Sequence, residues 1–175
     1  SLFKKVFLNK NKIFYLFITS ILIFLNWTLW IYAVSTNRII DASFGYFIFP
    51  IISVLFGFIF LNEKLNNKRI ISILLVFIST LYLSFNFSSF PWIGLSVALL
   101  WSTYNLLRKK INVETDIGLF IESLFILPLV IFFLYFIIQS GQNDFSIQNY
   151  KIMFLIFLAG PMTVIPLFLY VRGVE

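Results

Sequence analysis

The chain has 175 residues, of which 61% are hydrophobic, 21% aromatic and 11% charged, and 24 are Phe. Apolar content this high with so little charge excludes an ordinary water-soluble domain and leaves lipid as the surroundings of most of the surface. Cys and His are absent, which removes disulfides, Cys/His metal centres and thiol or imidazole catalysis, while a net charge of +6 raises the question of nucleic acid.

Crossing ~30 Å of hydrocarbon takes ~20 helical residues. Runs free of Asp, Glu, Lys and Arg cover 13–37, 43–62, 70–107 and 152–171, and 118–138 holds only Glu122. The run from Ile70 to Leu107 is nearly two spans long. It divides at Asn86-Phe87-Ser88-Ser89-Phe90-Pro91, a polar break followed by a proline suited to opening a helix. The predicted spans are therefore 13–36, 43–61, 70–87, 91–107, 118–138 and 152–171. The fold class is an all-α membrane protein with six transmembrane helices and short connections.

In the first span, Asn26, Trp30, Ala33 and Asn37 recur on one helical face, with Trp27 beside them. The turn after it carries Arg38 and Asp41, three residues apart, which suits an ion pair or a helix cap. In the second span Pro50 lacks the N–H that the carbonyl of Tyr46 would use. Ser53 and Gly57 then form a small-residue step, and Glu63 follows beside Lys64, Lys68 and Arg69, where a structural ion pair is expected. The fourth span places Gly94, Ala98 and Ser102 at every fourth position, a stripe that lets another helix approach closely, and groups Trp101, Tyr104 and Asn105. The fifth holds Glu122 and Pro128, the sixth Pro161 and Pro166. Polar side chains and helix breakers at membrane depth mark pathways and joints, although small-residue stripes also serve packing, prolines recur in membrane helices without a special role, and Trp and Tyr, as at Trp92, also anchor interfaces. Glu122 is either a coupling or substrate-contacting carboxylate or a group that reaches the interface from one turn inside the span.

The charge map answers the nucleic-acid question. Lys4, Lys5, Lys10, Lys12, Lys64, Lys68, Arg69, Arg108, Lys109, Lys110 and Arg172 fall in alternate loops, with only Arg38 and Lys151 on the other side. The positive-inside rule places the chain start and every second loop in the cytoplasm, so the basicity is topogenic and no nucleic-acid partner is expected.

The segment Asp41-Ala42-Ser43-Phe44-Gly45-Tyr46-Phe47-Ile48-Phe49-Pro50, then Gly57 and Leu61-Asn62-Glu63-Lys64-Leu65, together with Asn26-Trp27 and Trp30 through Val34, resembles the RarD-type members of the drug/metabolite transporter superfamily, the EamA-like permeases. Arg108-Lys109-Lys110-Ile111, Val113-Glu114, Ile121-Glu122-Ser123-Leu124 and Leu127-Pro128 resemble the same family in the expected order. The resemblance covers essentially the whole chain. It implies a ten-helix inverted-repeat bundle, with residues 1–87 as the last three helices of the first repeat, 91–175 as the first three of the second, and a chain incomplete at both ends. Leu29 to Val34 and Leu167 to Arg172 form a short internal match in spans of opposite direction, as inverted repeats require.

The expected activity is that of a permease or exporter of small organic solutes, metabolites or amphiphilic drugs, working by alternating access in the bacterial inner membrane. Its pathway would draw on Asn26, Trp27, Trp30, Asn37, Tyr46, Pro50, Trp101, Tyr104, Asn105, Glu122 and Pro128. An assembly subunit without transport activity is the alternative, and an integral-membrane lipid enzyme ranks below it, since the loops hold no concentrated catalytic set. No cofactor or metal is expected. The expected partners are membrane lipid and a small-molecule substrate, with a second copy of the chain as a further candidate.

Overall fold

A computed structural model describes residues 6–85, 90–141 and 150–174. Lys4, Lys5 and the predicted break at 86–89 lie outside the described residues, as does the end of the third predicted span. Six long helices follow in order: α1 (Lys10–Ser35), α2 (Ile39–Leu61), α3 (Asn67–Ser84), α4 (Trp92–Ile111), α5 (Thr115–Gln139) and α6 (Tyr150–Val174). Each coincides with one predicted span. Most are longer than the charge-free windows, because a helix continues through polar residues wherever its ends are capped. Asn9 Oδ1, for example, accepts from the amides of Asn11 and Lys12 at 3.1 and 3.2 Å and starts α1 ahead of the charge-free window. α3 ends at Ser84, short of the predicted 87.

The helix ends are set by residues that tolerate the left-handed backbone. Asn37, Asn62 and Asn112 have φ of 57°, 53° and 48°, and Gly141 has φ of 67°. At Asn37 the amides of Asn37 and Arg38 return to the carbonyls of Val34 and Ala33 at 3.2 and 2.7 Å, the paired bonds of a Schellman turn. At the start of α4 the Pro91 carbonyl accepts from Leu95 at 3.1 Å, so the proline caps that helix as its sequence position suggests.

Five of the six helices are long and apolar enough to cross a membrane; α4 is the exception. Its window from 91 to 107 is free of charge, but Ser96, Ser102, Thr103, Tyr104 and Asn105 lower its apolarity, and Ser102, Tyr104 and Asn105 are buried. Protein rather than lipid surrounds much of α4, which removes the need for an apolar surface there. Pro50, Pro128, Pro161 and Pro166 all sit inside unbroken helices, so none of these helices is unwound at its proline.

The chain forms two compact units. One comprises residues 21–110. Its core joins Ala33 of α1, Ala42 of α2, and Ile93 and Val97 of α4, with Leu29 and Trp30 packed against them, and α3 lies against α2. α2 and α4 run side by side at a constant register: Gly45 meets Gly94, and Ser53 Oγ donates to Ser102 Oγ at 3.3 Å. A Cβ at Gly45 would fall 2.5 Å from the Gly94 carbonyl oxygen, and one at Gly94 would collide with the Asp41 carbonyl oxygen. The predicted stripe on the fourth span is thus a packing seam, with glycine at its tightest crossing because no other residue fits.

The other unit comprises residues 1–20 and 111–175. Leu16, Ile111, Val113 and Ile121 form its core with Val6, and Tyr15, Ile117 and Phe125 pack around them. α6 lies against α5, and its most apolar 18-residue window holds no buried residue, although Val171 near its end is buried.

Candidate functional site

Within the 21–110 unit, Asn26, Trp27 and Trp30 of α1, Tyr46 of α2 and Trp101 of α4 line a cavity of about 270 Å³. Helical spacing explains the α1 contribution, since positions 26, 27 and 30 share one face. Ala33, one turn further on, is fully buried in the adjoining core, which fixes that face inward. Asn26 is 3% exposed, and its Nδ2 donates to the Val97 carbonyl at 3.2 Å. That bond ties α1 to α4 and fixes the amide orientation, because a carbonyl can only accept.

The aromatic walls are paired. Trp30 and Tyr46 have ring centroids 5.6 Å apart and planes 34° from parallel; Trp101 and Tyr104 stack at 5.7 Å and 27°. Tyr104 is fully buried behind Trp101 and backs that wall. The Trp30 indole N–H is buried beside Tyr46 without a hydrogen bond of standard geometry. Trp27 and Trp30 also border a second hollow of about 360 Å³ with Ile31, Val34 and Ser35. Among the described residues, no Asp, Glu, Lys or Arg lines either space.

Ionic groups of this unit gather at the helix ends. Arg38 pairs with Asp41, which is 6% exposed, and the guanidinium lies 5.7 Å from the Trp92 ring centroid. Asp41 Oδ1 is buried without a hydrogen-bond partner among the described residues. Glu63 receives Lys109 Nζ at 2.5 Å and Arg69 at 4.0 Å, the structural ion-pair role its neighbours suggest. Its carboxylate folds back over Gly57, where an added Cβ would come 3.0 Å from Oε2. The left-handed turn at Asn62 brings Glu63 back to α2, with the Glu63 amide donating to the Gly57 carbonyl at 3.2 Å.

Other candidates fall elsewhere. Asn37 is exposed and serves as the left-handed cap of α1. Pro50 lies one helical turn past Tyr46 and is exposed, as is Pro128 on α5. Asn105 is buried on α4, one residue beyond Tyr104. Glu122 belongs to the other unit: it is 2% exposed and accepts from Thr19 Oγ1 at 2.6 Å. Sequence reasoning overlooked Thr19, Val97 and the Asn caps. The caps had a usable signal, an Asn at or close behind the end of an apolar run, whereas the Thr19 and Val97 partnerships depend on helices far apart in sequence.

Among the described residues, five helices long and apolar enough to cross a membrane define a multi-pass membrane protein. Residues 1–85 match the EamA-like transporter family. The chain is 34% identical to Protein RarD of Salmonella typhi over 164 residues, 94% of this chain and 56% of that protein. It is 34% identical to Protein RarD of Escherichia coli K12 over 167 residues (95% and 56%), and 35% identical to the uncharacterized transporter YojE of Bacillus subtilis over 170 residues (96% and 56%). The chain therefore belongs to the EamA-like transporter family and is of RarD type, and it spans a little over half the length of these relatives. No solved structure matches it.

Proposed function

We propose that the chain is part of a permease that moves a small organic solute, a metabolite or amphiphilic drug, across the bacterial inner membrane by alternating access. The carrying observation is the cavity of Asn26, Trp27, Trp30, Tyr46 and Trp101, contributed by three helices, with no Asp, Glu, Lys or Arg among its described lining residues. Ring faces offer apolar contact and the amide offers orientation, the usual make-up of a small-molecule site. The names of the relatives as transporters support the same reading. A family match that ends at residue 85 supports a repeat boundary between α3 and α4, and the basic loops support a cytoplasmic chain start.

The protein reconstituted in vesicles should accumulate or release members of a panel of organic solutes. Trp30→Ala and Asn26→Ala should reduce flux far more than Phe132→Ala or Phe157→Ala, whose side chains are exposed. Equal effects at all four positions would reject the pathway, and absence of flux across a broad panel with folded protein would reject the permease.

A further inference from the structure

We infer that the aromatic cavity is selective for a flat, uncharged, one- or two-ring molecule that carries an N–H or O–H donor, and that Asn26 reads that donor. The inference rests on the cavity being the solute site proposed above. Four of its five lining residues are Trp or Tyr. At about 270 Å³ it lies just below the ~300–1,000 Å³ typical of drug-sized sites, which suits a compact ring system. The Trp101–Tyr104 stack offers a ready-made plane on which another ring can lie.

Charge is disfavoured in both signs. The 21–110 unit holds seven Lys or Arg, namely Arg38, Lys64, Lys68, Arg69, Arg108, Lys109 and Lys110, against Asp41 and Glu63. That excess repels a cation despite the ring faces. An anion finds no Lys or Arg among the lining residues, so entering the cavity would cost its hydration without a counter-charge. Along α2 the charged group nearest the cavity is Asp41, five residues and ~7.5 Å of rise before Tyr46, and Arg38 already holds it.

The donor requirement comes from Asn26. One N–H of Nδ2 goes to the Val97 carbonyl, which fixes the amide, and Oδ1 remains as the acceptor for a ligand donor. Oδ1 accepts no hydrogen bond among the described residues, and Asn26 lines the cavity although the residue as a whole is 3% exposed. A nearly buried acceptor of fixed orientation on a cavity wall discriminates by leaving a lost bond when the ligand lacks a donor.

The test is equilibrium binding of radiolabelled indole to the protein in nanodiscs, with competition by 1-methylindole, tryptamine and indole-3-acetate. Indole should bind roughly fivefold more tightly than 1-methylindole, the size of one neutral hydrogen bond, and both charged analogues should compete more weakly than indole. Asn26→Leu should bring the indole to 1-methylindole ratio close to one. Should that variant fail to fold, Trp27→Ala, at an exposed edge of the cavity, should weaken both ligands while preserving the ratio. Equal affinity for the two indoles, tighter binding of either charged analogue, or no indole binding overturns the inference. If a charged solute is transported and Trp30→Ala abolishes that flux, the pathway stands and the ligand class falls. If indole binds with the expected ratio but nothing is transported, the site stands and the permease reading falls.

Discussion

α4 and α6 are both uninterrupted helices, of 20 and 25 residues, and their surfaces are opposite. α4 buries Ile93, Val97, Ala98, Ser102, Tyr104, Asn105 and Arg108, and it is the helix whose sequence is too polar to count as a span. The best apolar window of α6 is among the most hydrophobic in the chain and none of it is buried. In water the relation would be reversed, with the apolar helix inside. Here hydropathy reports what faces lipid, and polar or small residues mark where protein covers a helix.

The sharpest way to break this comparison is to add volume to each helix. Gly94→Val on α4 should destabilise the protein by about 3 kcal/mol, because the Asp41 carbonyl and Gly45 leave no room for a side chain. Gly173→Ala near the end of α6 meets nothing within 4 Å outside its chain neighbours and should shift stability by no more than ~0.5 kcal/mol. Thermal unfolding in detergent compares the two, and equal shifts would erase the distinction between a covered and an open helix.

Removing a buried partner comes next. Thr19→Val leaves Glu122 Oε1 without the hydroxyl that donates to it and should cost about 2 kcal/mol by denaturant unfolding. No loss of stability would mean that this bond contributes nothing to the unit. Asn26→Leu removes one neutral bond to α4 and should cost about 1 kcal/mol. A stabilised variant would show that Asn26 is retained for its ligand alone. Smallest is Lys109→Ala: the pair with Glu63 is half exposed, so the loss should stay below ~1 kcal/mol and fade as salt is raised. A large, salt-independent loss would turn that contact from a rim pair into a structural clamp.

Helix number and order were legible because lipid imposes a minimum length on charge-free segments, and none of the six helices departs from that pattern by more than a few residues. The seam between α2 and α4 was half legible: Gly94, Ala98 and Ser102 announced a close approach, but not Gly45 and Ser53 as the facing residues. The Asn26 face was legible from its spacing, and the structure joins Asn26 and Trp30 to Tyr46 and Trp101 in one cavity. Asn37 fitted that face on a helical wheel, yet the chain leaves the helix there through a left-handed turn, which spacing cannot report. Glu122 could be counted as an ionisable residue within a span, but its burial against Thr19 depends on a helix more than a hundred residues away.

By itself, the sequence determined that this is a multi-pass membrane protein, where its helices run and which family it belongs to, because lipid compatibility and local motifs are written along the chain. Only the tertiary structure decided which helix is covered, which glycines are obligatory, and which five side chains meet around one cavity. Those outcomes depend on partners distant in sequence, and a helical period gives the face a residue occupies without naming what stands opposite.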